Sequence, residues 1–146
     1  MPKFIYLLQA SQESESGKPP STEIIEAMTN YNTQLSEAEM LLAGEGFRAS
    51  SNGARLSFPT DGINAAKVEV QKGPFALSNL ICGYWVVQAK SLDDAIEWAK
   101  KCPLQGGGIE VRQIHGAEDF GDAFTDELKE REKALREKAE QRTKGL

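Results

Sequence analysis

A chain of 146 residues with 40% hydrophobic and 27% charged residues has the size and balance of one globular domain. Its formal net charge of −5 supplies no basic excess for a nucleic-acid surface, and no apolar run approaches the ~20 residues of a membrane span. Neither nucleic acid nor membrane is therefore expected as a partner. Cys82 and Cys102 form no Cys-x-x-Cys pair and no dense framework, so reduced thiols are the simplest reading. The opening "MPKFIYLLQA" is short and quickly polar for a signal peptide, which leaves the cytoplasm as the default location.

In chain order, "KFIYLLQA" reads as a buried strand and "SQESESGKPP" as a loop. Ile24, Met28, Tyr31, Leu35, Ala38 and Leu42 then recur at spacings of four and three, one face of an amphipathic helix. Ser21 or Thr22 caps its start, and Gly44-Glu45-Gly46 is expected to end it. "ARLSF" and "AKVEV" alternate apolar and polar around a Pro59–Gly62 turn, a hairpin with one buried face. After Gly73-Pro74-Phe75, "ICGYWVVQAK" is more continuously apolar and is expected to be a central strand.

"SLDDAIEWAKKCP" carries a capping signal at Ser91 and Asp94 and stops at Pro103, a short helix. "GGGIEVRQI" supplies a last strand. Its glycines follow a helix and precede a strand, the reverse of a phosphate-binding loop. The tail from Phe124 is helical and charged, with Glu127–Arg131, Glu132–Arg136 and Glu140–Lys144 four apart in the favourable order. Its apolar stripe is thin: Phe124, Leu128, Leu135 and Ala139. It reads either as a solvated helix or as one lying on a surface or a partner subunit.

Two strand–helix–strand halves make an α+β, ferredoxin-like split βαβ fold. With both helices on one face, the other needs a cover for residues such as Tyr84 or Trp85. Face-to-face pairing of two chains into an α/β barrel meets that need, so a homodimer is expected.

The segment "GPFALSNLICGYWVVQAKSLDDAIEWAKKCP", the later "GGGIEVRQI" and the earlier "AMTNYNTQLSEAEMLLAGEGFRASSNGARLSF" resemble the YCII-related, or DGPF-domain, family. The likeness covers Pro2 to Phe120, giving a domain over 1–120 and a charged tail over 121–146. It rests on four motifs taken together: Gly-Glu-Gly, Gly-Pro-Phe, a Gly-aromatic-aromatic strand and Ile-Glu-Val-Arg. The resemblance implies a dimeric α/β barrel with a cleft in each subunit near the interface. Most members have no assigned reaction. Some bring a His and an Asp together in the cleft, and some occur near alternative sigma factors, a regulatory context. The family's Asp before Gly-Pro-Phe is Lys72 here, so a role for that carboxylate does not carry over.

Candidate residues carry two readings each. His115, the single histidine, is either a general base or a surface residue at a strand end. One histidine without clustered cysteines provides no zinc set, and the sequence calls for no cofactor. Glu45, between two glycines, either aims a carboxylate into the cleft or ends a helix in solvent. Arg55 and Arg112 either hold a carboxylate or phosphate or pair with Glu69 or Glu110. Lys72 either joins them or marks a solvated corner. Phe75, Tyr84 and Trp85 either floor a pocket or belong to core or interface. The functional expectation is a cleft binding a small anionic or aromatic molecule, lined by Glu45, Arg55, Lys72, Phe75, Trp85 and Arg112. An enzyme using Glu45 or His115 as acid/base, and an interaction or regulatory module acting through the tail, are the alternatives.

Overall fold

Strand β1 (Lys3–Gln9) alternates buried Phe4, Tyr6 and Leu8 with half-buried Ile5 and Leu7. Side chains of a strand point alternately to its two faces, so β1 separates two environments. The computed structural model that provides this geometry describes residues 1–61 and 67–144. Gly62 and Ala66, read above as turn and strand, lie outside them. Two units, Met1–Gln113 and Ile114–Leu146, divide the chain and are taken separately.

In the first unit, β1 is followed by a one-turn helix, α1 (Gln12–Glu15), and by α2 (Thr22–Glu37). Strand β2 (Leu41–Gly46) comes next, then β3 (Ala54–Ser57), β4 (Glu69–Lys72) and β5 (Ile81–Gln88). Helix α3 (Leu92–Ala99) and strand β6 (Ile109–Gln113) complete it. An antiparallel sheet runs in the order β2-β5-β1-β6, while β3 and β4 pair separately as a ribbon. This is the α+β, ferredoxin-like arrangement expected, with β5 and β1 central.

Register assigns the faces. Tyr6 lies opposite Trp85 and Val111, and Phe4 opposite Val87 and Gln113. Phe4, Tyr6, Trp85 and Val87 share a core with Tyr31 and Leu35 of α2, Met40, and Ala95 of α3, and Val111 packs against it. Ser21 Oγ accepts from the Ile24 N–H at 3.3 Å and Ser91 Oγ from the Asp94 N–H at 3.1 Å, so both helix starts are capped as read. Two phenols then tie the layers to α3: the Tyr6 hydroxyl donates to the Ala95 carbonyl at 2.6 Å, and the Tyr31 hydroxyl to the Trp98 carbonyl at 2.9 Å.

Gly-Glu-Gly does not end the first helix. Helix α2 stops at Glu37, and "LLAGEG" is an edge strand of the main sheet. The apolar period runs on through Leu42, but Ala38 caps the helix and Glu39 turns into the left-handed region at φ 59°. Gln88 Nε2 donates to the Glu39 carbonyl at 2.7 Å, and Met40 drops into the core. A left-handed non-glycine residue costs about 1 kcal/mol relative to glycine there. Glu39→Gly is expected to raise stability by about 0.5–1 kcal/mol. The check is a urea midpoint; an unchanged or lower value would show that the Glu39 side chain contributes what glycine would gain.

The ribbon also departs from expectation. Leu56 lies opposite Val70 and Arg55 opposite Gln71, so an apolar side is formed, yet every strand residue is exposed. The strand read as residues 66–70 begins at Glu69 and runs to Lys72. Both cysteines are free thiols, and burial pushes that of Cys102 up to about 11.

In the second unit, a 3-10 stretch (Ala117–Ala123) precedes helix α4 (Asp126–Lys144), whose residues are exposed all round. Asp126 and Glu127 at its start and Arg142 and Lys144 at its end complement the helix dipole. No helix among the described residues is long and apolar enough to cross a membrane.

Candidate functional site

The face of the sheet turned away from α2 and α3 has no residue in the buried core. One row across it reads Glu45, Tyr84, Leu7, Glu110, and the next reads Ala43, Val86, Ile5, Arg112. The centre is apolar and the margins are charged. Phe47 stacks on Tyr84 with ring centroids 5.9 Å apart, carrying the apolar strip past the end of β2. On the β6 margin Arg112 pairs with Glu110 at 3.3 Å, the architectural one of its two readings. Glu45 and Arg112 stand on opposite edges with two strands between them, ~14 Å apart at the usual strand spacing. A single chain does not bring them together.

A second constellation surrounds the Gly-Pro-Phe corner, where the Gly73–Pro74 peptide bond is cis. A 3-10 turn (Ser50–Asn52) sits against it. The Glu15 carboxylate at the end of α1 accepts from the Ser50 N–H at 2.9 Å and the Ser50 hydroxyl at 2.5 Å. Ser50 Oγ in turn accepts from the Phe75 N–H at 2.9 Å. Three segments distant in sequence are thus joined through one serine. The Arg55 guanidinium lies over the Phe75 ring, 4.1 Å from its centroid. No ion pair among the described residues involves Glu45, Arg55 or Lys72.

Arg55 and Lys72 project to opposite sides of the ribbon, since Arg55 opposes Gln71 while Lys72 opposes Ala54. Lys72 shares its side with Leu56 and Val70. Trp85 is not on the open face at all. Its indole is buried under α2, edge-on to Tyr31 at 5.1 Å, with Nε1 donating to Asn32 Oδ1 at 2.7 Å. Gly44 is what admits it: a Cβ there would sit 2.7 Å from Trp85 Cδ1. In the second unit His115 lies with Nδ1 3.5 Å from Asp119 and its ring 5.2 Å from Phe120.

The corner's chemistry is that of a latch. The Ser50 hydroxyl, directed at the Glu15 carboxylate and accepting from the Phe75 N–H, is held in place by both contacts. The Cys82 thiol beside Ser14 and Glu15 is pushed up by burial, so it is no ready nucleophile. A separate open cavity of about 400 Å³ between α3 and β6 is lined by Ile96, Cys102, Leu104, Ile109 and Val111 among others. Its lining includes none of the candidate site residues Glu45, Arg55, Lys72, Phe75, Trp85, Arg112 and His115.

Sequence reasoning missed Glu15, Ser50 and Phe47. The Ser11-x-x-Ser14 spacing signals the capped turn of α1, where Ser11 Oγ accepts from the Ser14 N–H at 3.1 Å. Nothing local links Glu15 to Ser50, 35 residues away.

The corner, the Gly-aromatic-aromatic strand β5 and the Ile-Glu-Val-Arg strand β6 all occupy defined places in one ferredoxin-like unit. A model of the YCII-related domain matches residues 3–118. The chain belongs to the YCII-related domain family. No curated protein matches the sequence. Within the YCII-related frame, Lys72 ends β4 immediately before the corner. The carboxylate in contact with the corner is Glu15, which reaches it through Ser50.

Proposed function

We propose that this YCII-related protein is a homodimer that binds a small anionic or aromatic molecule in a cleft near its dimer interface. The observation that carries the reading is the open sheet face, apolar along Ile5, Leu7, Tyr84 and Val86 and charged at both margins. A second copy related by a two-fold axis covers such a face with an identical one, as the dimeric α/β barrel implied by the family does. The Arg55–Phe75 stack supports the ligand class. A guanidinium held over an aromatic ring has N–H donors to offer a carboxylate, and the ring edge offers an apolar contact. Lys72 and Glu45 are the remaining charges of the first unit's candidate set without an ion pair among the described residues. Trp85 contributes through the core behind β5.

An enzymatic role for Glu45 or His115 has less behind it. Glu45 is exposed on an edge strand, and no second titratable group is hydrogen-bonded to it among the described residues.

Sedimentation equilibrium tests the dimer. Wild type is expected at the mass of two 16.0 kDa chains, and Val86→Lys at one, with unchanged far-ultraviolet circular dichroism. A wild type of single-chain mass at high micromolar concentration would overturn the reading. For the ligand, benzoate is expected to raise the melting temperature of wild type and not of Arg55→Met.

A further inference from the structure

Resting on the dimer reading, we infer that the β3–β4 ribbon is a clasp that grips the second copy. It docks Leu56 and Val70 beside the partner's β2 margin, with Lys72 against the carboxylate at position 45. The ribbon has two unlike sides. Arg55, Ser57, Glu69 and Gln71 make one polar; Ala54, Leu56, Val70 and Lys72 make the other apolar apart from its terminal cation. Leu56 is 52% and Val70 60% exposed, and Phe58 just beyond is 72% exposed. Two strands alone are marginal in water, and directly opposed apolar side chains gain only when something covers them. Among the described residues of the first unit nothing buries these side chains.

Charge and shape select where the cover lies. The open sheet face has two margins. At the β6 margin Glu110 is already paired with Arg112, whereas at the β2 margin no described cation pairs with Glu45. The β2 margin also carries Phe47, half-exposed and stacked on Tyr84, which extends the apolar strip outwards. An apolar ribbon side ending in an ammonium with no ion pair among the described residues therefore complements an apolar margin ending in a carboxylate in the same position. Two-fold symmetry makes the contact twice, since each chain owns both a ribbon and a margin. The polar ribbon side, with Arg55 over Phe75, is left facing away from the grip.

Sedimentation equilibrium on the full chain separates this from the dimer reading itself. Leu56→Asp/Val70→Asp is expected to raise the dimer dissociation constant at least 100-fold with unchanged far-ultraviolet circular dichroism, because both side chains are solvent-exposed in one chain. Lys72→Glu is expected to raise it about tenfold, and Glu45→Lys added to it to restore it to within threefold of wild type. If the aspartate pair keeps the wild-type constant while Val86→Lys dissociates, the clasp is overturned and the dimer stands. If Lys72→Glu/Glu45→Lys is no tighter than Lys72→Glu alone, the docking position is overturned. If wild type itself has single-chain mass, both fall.

Discussion

Replacing Gly73 with alanine is expected to destabilise the first unit by about 2–3 kcal/mol, the upper part of the range for a forced overlap in a packed site. An added Cβ would overlap the Ser50 carbonyl oxygen and lie 2.6 Å from its carbon. The obstacle is backbone, so no rotamer change relieves it. Nor can the turn retreat easily: the Gly53 N–H donates to the Ser50 carbonyl at 2.9 Å, and Glu15 grips Ser50 from the other side. The Gly73 N–H also donates to the Gly53 carbonyl at 3.0 Å, so moving the corner strips a further bond. Urea denaturation measures the loss, and faster hydrogen exchange at the Phe75 amide localises it. Gly46→Ala is the control, because nothing lies within 4 Å of its added Cβ. Equal midpoints for the two variants would mean that the corner is not held as described.

Stability is expected to fall steeply above pH 10. Burial first, and the Asp94 carboxylate second, push the Tyr6 phenol from 10 up to about 12, and burial pushes that of Tyr31 upwards as well. Both groups keep their protons in the folded chain at a pH where the unfolded chain releases them. The unfolded state then binds fewer protons, so unfolding becomes easier as pH rises, and the contribution is complete only below pH 10. For Tyr6 alone the loss by pH 12 is about 2–3 kcal/mol, a large share of a typical stability of roughly 5–15 kcal/mol. Ionisation would also remove the proton that binds the Ala95 carbonyl and leave a phenolate against it. Denaturation curves between pH 9 and pH 12, read beside phenolate absorbance, check this. Tyr6→Phe should flatten the profile by about half; an unchanged slope would show that Tyr6 titrates outside the core.

The fold was legible because its strongest signals were local. Ser21 and Ser91 cap the helices that their spacing announces, and the unbroken apolar runs at Phe4–Leu8 and Tyr84–Val87 are the two central strands. Strand β2 was hidden because Ala38 and Leu42 prolong the helical period, and only Glu39 in an unfavourable conformation breaks it. Trp85 carries two readings, pocket floor or core, for a related reason. In a strand apolar on both sides, alternation cannot say which side the helices cover; the register with Tyr6 does. Of the candidate site, Arg55 and Phe75 could be singled out by type, but their stacking comes from pairing across the ribbon and corner. The link between Glu15 and Ser50 depends on long-range packing that no motif records.

The paired placement of Trp85 and Trp98 has an optical consequence. Trp85 is 7% exposed with its Nε1 hydrogen bond internal, whereas the Trp98 ring lies under the Lys101 ammonium 3.8 Å from its centroid. Excitation of the native chain therefore samples one indole in an apolar setting and one beside a positive charge at the end of α3. Separation of α2 from the sheet shifts the first emission to the red. Events confined to the ribbon leave it alone, so intrinsic fluorescence distinguishes core opening from changes at the chain's outer arm.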